Sequence, residues 1–179
     1  MDIQYTILGL LNAQPLSGYD LKKIIADSDL FYWSGNNNQI YHSLVNLHKQ
    51  GLVSVETFQQ ENLPPRKLYS ITPAGEMELR QWLLSDPVLP EIRDPFLIQL
   101  AWADQLHGDE LDALLARYAE ELEMQVRMLG QRRLNPWYRP ARTKRETLLW
   151  SRIEERLQER YQQELDWVNR LRNEILKNP

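Results

Sequence analysis

Length, composition and charge narrow the class of protein before any motif is considered. The chain has 179 residues and no cysteine, which excludes disulfide frameworks, cysteine nucleophiles and zinc–thiolate sites. The opening residues are not typical of a secretory signal, and no stretch approaches the ~20 apolar residues of a membrane helix, so we expect a cytoplasmic protein without a membrane partner. A net charge of −4, with six basic and eight acidic residues in 1–85, means that any DNA-binding hypothesis must depend on local arrangement.

Three short helices are predicted in the first part of the chain. Apolar residues at helical spacing in 3–11 predict the first helix. Ser17 and Asp20 form a capping-box pattern at the start of the second. The third helix is predicted to begin within 36–38, where any of three asparagines can cap it, and to end at Gly51.

The next segment changes from helical to strand periodicity. Alternating residues in 53–58 predict one strand, and 67–71 predicts a second, with the polar segment 59–65 as the connecting tip. Thr72 and Pro73 then begin a fourth helix, whose inward residues are predicted to be Leu79, Trp82 and Leu83. Three short helices followed by a β-hairpin is the layout of a winged helix-turn-helix.

The second half is predicted to be mostly long helices. Prolines after Ser85 indicate a boundary, so we predict domains at 1–86 and 87–179. The final helix, about 143–176, would be ~50 Å long, which is too long for one small core. Its apolar residues recur at alternating steps of three and four, as in coiled coils. They predict a dimer interface made of Trp150, Ile153, Leu157, Tyr161, Leu165, Val168, Leu171 and Ile175.

Several motifs together resemble the PadR family of bacterial transcriptional regulators. They are Leu8-Gly9-Leu10-Leu11, Ser17-Gly18-Tyr19-Asp20-Leu21, Gln39-Ile40-Tyr41, Gly51-Leu52-Val53, Pro65-Arg66-Lys67-Leu68-Tyr69 and Ile71-Thr72-Pro73-Ala74-Gly75. The second half is similar to the longer-tailed subgroup, through Arg93-Asp94-Pro95-Phe96-Leu97 and two long helices. The resemblance implies a mainly α fold with a small β-hairpin wing: an N-terminal winged helix-turn-helix followed by a helical dimerisation domain.

The same resemblance implies a function and its partners. Regulators of this kind are often repressors that small aromatic molecules such as phenolic acids release from DNA, although the effector varies and some members are activators. We therefore expect a homodimeric DNA-binding regulator that recognises an inverted-repeat operator. We expect it to act as a repressor rather than as an activator. The alternative is a winged-helix module for protein–protein contact without specific DNA binding, which the acidic net charge would suit.

Candidate DNA-binding residues concentrate on the third helix. Asn and Gln side chains can bind adenine through two hydrogen bonds, and Tyr suits phosphate. The alternative interpretation is that the asparagine cluster only caps a helix. The candidates on this helix are Asn36, Asn37, Asn38, Gln39, Tyr41 and His42.

Further candidates lie outside that helix. Arg66 and Lys67 are predicted where the wing tip returns and cations suit the DNA backbone, although Glu61 at the same tip opposes phosphate. For Tyr19, phosphate contact and packing both remain open. Trp33, just before the third helix, is the candidate for binding an aromatic effector, against the alternative that such aromatic residues pack in a core.

No catalytic constellation is found in the sequence. There are three histidines, and no metal-binding, phosphate-loop, nucleophile-elbow or dinucleotide-binding motif. We therefore expect a protein that is not an enzyme and has no catalytic residue, metal ligand or cofactor.

Overall fold

The chain divides into two compact units, Met1–Val88 and Leu89–Pro179. The structure is a computed structural model that describes residues 3–28, 30–31, 38–60, 63–90, 94–132 and 142–177. The division falls close to the boundary predicted after residue 86. None of the described helices is long and apolar enough to cross a membrane.

The first unit combines helices with a small antiparallel sheet, in which the strand order is β1-β3-β2. Its elements, in chain order, are α1 (Ile3–Ala13), β1 (Leu16–Ser17), α2 (Gly18–Ala26), α3 (Asn38–Lys49), β2 (Val53–Gln60), β3 (Leu63–Ile71) and α4 (Pro73–Leu83). This arrangement confirms the predicted winged helix-turn-helix fold.

Local capping interactions fix where α2 and α4 begin. The Ser17 hydroxyl accepts a hydrogen bond from the Asp20 main-chain N–H, and the Asp20 carboxylate accepts one from the Ser17 N–H, each at 3.1 Å. This is the predicted capping box. At α4 the Thr72 hydroxyl accepts from the Gly75 N–H at 3.1 Å, and Pro73 occupies the first helical position, as predicted.

The end of α3 leads directly into the sheet. Gly51 has a φ of 73°, and its N–H donates to the His48 carbonyl at 3.0 Å. The next N–H, of Leu52, donates to the Leu47 carbonyl at 2.9 Å. These two bonds form a Schellman motif, which needs a left-handed residue at this point and so favours glycine. The chain can therefore turn from α3 into β2 within three residues.

The hairpin is longer than the sequence predicts. β3 begins at Leu63 rather than near Lys67, and its ladder with β2 continues to the Gln60–Leu63 pair, with an irregularity between Phe58 and Gln60. β1 was not predicted; it pairs Leu16 with Tyr69 and Ser17 with Leu68 of β3. The proline pair at 64–65 favours a loop, but here β3 has a partner on only one side, where prolines are tolerated.

The core of the first unit draws on every helix and all three strands. Its fully buried members include Ile7, Leu8, Leu21, Leu44, Leu47 and Val53. The prediction for α4 is only partly right, because Leu79 is buried whereas Leu83 is 66% exposed. Trp82 is partly exposed and stacks on Tyr5 of α1, with 4.6 Å between ring centroids. α4 therefore packs through one narrow side against α1.

All secondary-structure elements in the described part of the second unit are helices. It contains α5 (Pro95–Ala101), a 3₁₀ helix (Ala103–Gln105), α6 (Gly108–Arg132) and α7 (Lys144–Lys177). Asp94 caps α5 by accepting hydrogen bonds from the Phe96 and Leu97 N–H groups. A bidentate ion pair between Arg172 and Asp112 joins α7 to α6.

The core of the second unit uses only the later part of α7. Leu165 and Val168 pack with Leu115 and Leu122 of α6 and with Phe96 of α5. Of the eight residues predicted for the dimer interface, Tyr161, Leu165, Val168, Leu171 and Ile175 belong to or pack against this intrachain core. Val168 has no exposed surface, so contact with a partner chain would require this core to open.

Candidate nucleic-acid interface

One side of α3 holds the helix in the fold and the other is exposed. Ile40, Leu44 and Leu47 are buried in the core of the first unit. The remaining side chains on the opposite side form what we call the α3 face, whose exposed members are Asn38, Gln39, Tyr41, His42, Val45, Asn46 and Lys49. The burial pattern therefore leaves polar groups along the helix accessible to a ligand.

Four predicted residues lie on this face: Asn38, Gln39, Tyr41 and His42. Asn38 is also the first helical residue. Asn36, Asn37 and the predicted effector residue Trp33 lie outside the described residues.

The sequence analysis overlooked two members of the α3 face, Val45 and Asn46. Val45 is 48% exposed, and Asn46 is also exposed. Val45 lies four residues after Tyr41, and Asn46 lies four residues after His42. This spacing was the available signal, because residues so spaced share one side of a helix. An amide and an apolar group add capacity for contacts with bases and thymine methyl groups.

Tyr41 connects the α3 face to the start of α2. A Cβ atom placed on Gly18 would lie 2.7 Å from Cε1 of the Tyr41 ring, so the ring packs directly on the Gly18 backbone. Burial raises the pKa of Tyr69, and the neighbouring Tyr41 adds to this effect. Tyr41 is nevertheless 47% exposed, which gives an anchored ring with an accessible side.

Tyr19 lies beside this contact, at the second residue of α2. It is 69% exposed, so its side chain is not part of the packed core of the first unit. Of the two roles left open by the sequence, the exposure favours a contact with a ligand such as phosphate.

Arg66 and Lys67 both lie within β3. Arg66 pairs with Phe58 and Lys67 with Thr57 in the β2–β3 ladder, so the strand predicted to begin at Lys67 also includes Arg66. The predicted opposing residue, Glu61, is outside the described residues. Both cations are exposed on the wing, and their position in the β2–β3 ladder fixes their Cα atoms.

Arg66 forms an ion pair that the sequence does not reveal. Its Nη2 donates to Oδ2 of Asp20 at 3.0 Å, linking the wing to the start of α2. Burial raises the pKa of Asp20, but hydrogen bonds from Ser17 and the nearby Arg66 outweigh that effect and leave the pKa below its ordinary value. Asp20 is therefore ionised at neutral pH, and Arg66 neutralises it.

The charge distribution explains how an acidic unit can present a face suited to DNA. α3 contains no acidic residue. The acidic side chains Glu76 and Glu78 are on α4 instead. Overall net charge therefore understates how favourable the α3 face is for phosphate.

A metal centre would require several ligating side chains close together. Within the described ranges, no group of three or more His, Asp and Glu side chains is arranged to hold a metal ion.

A helix-turn-helix with an exposed second helix and a β-hairpin wing defines a DNA-binding class of protein. Residues 7–81 match the model of the transcriptional regulator PadR-like family. This segment is therefore similar to the PadR-like family, and it contains most of the motifs on which the sequence resemblance depends. The chain is also 32% identical over 113 residues to the negative transcriptional regulator PadR of Bacillus subtilis. That match covers 63% of this chain and 62% of the relative's length.

Solved structures extend the similarity of fold to both units. The structure of Bacillus subtilis PadR in complex with operator DNA matches with a TM-score of 0.81 at 24% identity, over 96% of this chain and 98% of that one. The structure of the same protein with p-coumaric acid matches with a TM-score of 0.76 at 24% identity, over 97% and 98% of the two chains. At this level of identity, the matches establish the fold.

Proposed function

We propose that this protein is a sequence-specific DNA-binding transcriptional regulator that acts as a repressor. The observation that carries the proposal is the exposed α3 face, which lacks acidic residues and lies beside a wing carrying Arg66 and Lys67. In a helix-turn-helix the second helix enters the major groove, where Gln39 and Asn46 can reach base edges. Arg66, Lys67 and Tyr19 supply contacts to the backbone. Because it acts on chromosomal DNA, a cytoplasmic location is part of this proposal.

The relatives support the repressor form of this proposal. The Bacillus subtilis relative is a negative regulator, and a PadR structure contains operator DNA. The alternative is an activator, because activators and repressors of this kind use the same DNA-reading unit.

The proposed regulator acts as a homodimer through α7. Trp150, Ile153 and Leu157 are only partly buried in the single chain, and Leu148 and Leu149 beside them are more than half exposed. Apolar surface on a long helix is stabilised when a second chain covers it. Two-fold symmetry then presents two α3 faces to the DNA, and an inverted-repeat operator with half-sites one helical turn apart requires those faces to be about 34 Å apart.

Release by a small aromatic effector completes the proposed mechanism. PadR of Bacillus subtilis has been crystallised with p-coumaric acid, which makes phenolic acids the first compounds to test on this chain. An effector that changes the separation of the two α3 faces would weaken operator binding, because both faces must bind at once. Trp33 is the proposed contact residue, by its position just before α3.

A mobility-shift titration tests DNA binding directly. The full chain is titrated against the DNA upstream of its own gene, across a range of salt and with excess non-specific competitor. We expect a shift that resists competitor and weakens with salt, as phosphate contacts require. Gln39→Ala should reduce the shift, while Gln81→Ala on α4 makes the same chemical change outside the α3 face and should not.

The opposite result would favour the protein-contact module. If neither the upstream DNA nor a pool of random duplexes yields competitor-resistant binding, the winged helix is not a specific DNA reader. For the effector, p-coumaric acid is added at saturation. An unchanged operator affinity would contradict release by this compound.

A further inference from the structure

One oxygen of Asp20 accepts three hydrogen bonds, which link the cap of α2 to β3. Its Oδ2 accepts hydrogen bonds from the Ser17 N–H at 3.1 Å, from the Ser17 hydroxyl at 2.6 Å and from Arg66 Nη2 at 3.0 Å. The first two belong to the cap of α2, and the third comes from β3, 46 residues away in the chain. Asp20 therefore does more than cap a helix, because the same oxygen also holds a wing residue.

The sheet explains why Arg66 is available for this contact. β1 ends at Ser17, which pairs with Leu68, so the strand partner of β3 stops before Arg66 is reached. The chain turns there into α2, and the Arg66 side chain bonds to Asp20 at the start of that helix. The Arg66 side chain remains 52% exposed in this pair. A guanidinium has five N–H donors, so one bond to Asp20 leaves capacity for a second acceptor.

This pair lies beside the α3 face. The Tyr41 ring packs on Gly18, two residues before Asp20 in the chain. DNA bound to the α3 face would therefore approach the region where Arg66 is held. A carboxylate here, one-third exposed, would repel phosphate if it acted alone.

We propose that Asp20 is a positioning residue for DNA binding: it holds Arg66 so that the remaining guanidinium donors bind a DNA phosphate. The inference rests on the proposed function and adds a residue to it. Without Asp20, Arg66 keeps its charge but must give up the rotational freedom of a long side chain on binding DNA. Loss of this acidic side chain should therefore weaken binding to an acidic ligand, whereas charge alone predicts strengthening.

The test compares Asp20→Asn with the parent chain on one duplex. The duplex is the sequence most enriched by the full-length parent from a random pool, and affinity is measured over a series of salt concentrations. We expect Asp20→Asn to bind about three- to tenfold more weakly, the range of one ordinary hydrogen-bonding interaction. The slope of log affinity against log salt should become shallower by up to about 0.9, the value for one phosphate contact. A purely structural role for the cap would not change that slope.

A double-mutant cycle identifies Arg66 as the route of the effect. Arg66→Gln leaves the Ser17–Asp20 cap bonds in place and should give a similar loss of affinity and slope. In that background, Asp20→Asn should cause no further loss, and removal of the negative charge should improve binding slightly. Lys67→Gln is the matched control, because it removes a neighbouring wing cation that is not bonded to Asp20 in the structure. Its effect should add to that of Asp20→Asn.

Each outcome separates the inference from the function that it rests on. If the parent binds the selected duplex but Asp20→Asn binds equally or more tightly, the positioning role is wrong while the proposed function stands. The inference is also wrong if Arg66→Gln, which does not touch the cap, leaves affinity and salt slope unchanged. If the random pool yields no enriched duplex, the proposed function fails and the inference fails with it.

Discussion

The two units of the chain use apolar side chains differently. In the first unit, all four helices and all three strands contribute buried residues to one core. In the second unit, α7 buries only Leu165 and Val168 among its described side chains, although it is 34 residues long. Residues 144–164, all of which are described, include no buried side chain.

This difference indicates that the two units have different roles. A DNA-reading unit benefits from a fixed position for each contact residue, and a complete core with capped helices supplies it. A long helix that leaves Trp150, Ile153 and Leu157 partly exposed is suited to pairing with a second chain. Changes in the later part of α7 should therefore act on folding of the second unit, and changes in its earlier part on assembly.

The largest expected effect is on the α6–α7 core. Val168→Asp places an unpaired charge where no surface is exposed and should lower the free energy of unfolding of the second unit by about 3–5 kcal/mol. Thermal unfolding followed by circular dichroism measures this change. Asn169→Asp, on the exposed neighbour, is the control and should have little effect. Equal stability of Val168→Asp and the parent would contradict the position given to this core.

The next largest effect is on assembly. Leu157→Asp should abolish the proposed dimer while the α6–α7 core remains folded, because Leu157 is not one of the core residues. Losing the second binding unit should reduce operator affinity about 100-fold. Sedimentation velocity gives the oligomeric state, with Gln163→Asp on an exposed position of α7 as the control. A dimer that survives Leu157→Asp would place the interface elsewhere.

A smaller effect is expected from single changes on the α3 face. Gln39→Ala and Tyr41→Ala should each weaken operator binding by about 1–3 kcal/mol without changing the dimer. Tyr41→Phe keeps the ring that packs on Gly18, so it separates the hydroxyl contact from the packing. Fluorescence anisotropy with a labelled operator measures both losses. Parent-like affinity of all three variants would show that α3 is not the reading helix.

The smallest effect concerns alkaline stability of the second unit. Burial, the negative charges of Glu164 and Asp94, and a hydrogen bond to Glu164 raise the pKa of Tyr118 to about 12. An unfolded tyrosine ionises near pH 10, so stability is lost as the pH rises from about 10 to about 12. Tyr118→Phe keeps the stacking on Phe96 and should reduce this loss. Thermal unfolding of both proteins at about pH 8 and about pH 11 tests it, and an identical pH dependence would contradict it.

Local signals explain which elements were predictable. The Ser17–Asp20 capping box and the Thr72–Pro73 start of α4 involve residues within three positions of each other, and both are found as predicted. The exposed side of α3 also follows from its own periodicity. Such features depend on backbone geometry close in sequence, so no knowledge of the tertiary fold is needed.

Features that depend on distant partners were not predictable. β1 is two residues long and forms only because β3 passes beside it, and the Arg66–Asp20 pair joins residues 46 positions apart. The apolar stripe that contains Leu165 and Val168 predicts that another helix covers these residues. It does not predict whether that helix belongs to the same chain or to a partner. The structure gives the answer, because α6 of the same chain packs against them.

A hydroxyl-radical footprint on the selected operator duplex tests the central claim most directly. A dimer with two α3 faces should protect two symmetric patches, centred about 10 base pairs or one helical turn apart, and Leu157→Asp should lose both at the same protein concentration. A single asymmetric patch, or protection that is unchanged in Leu157→Asp, would contradict recognition of an inverted repeat by a dimer joined through α7.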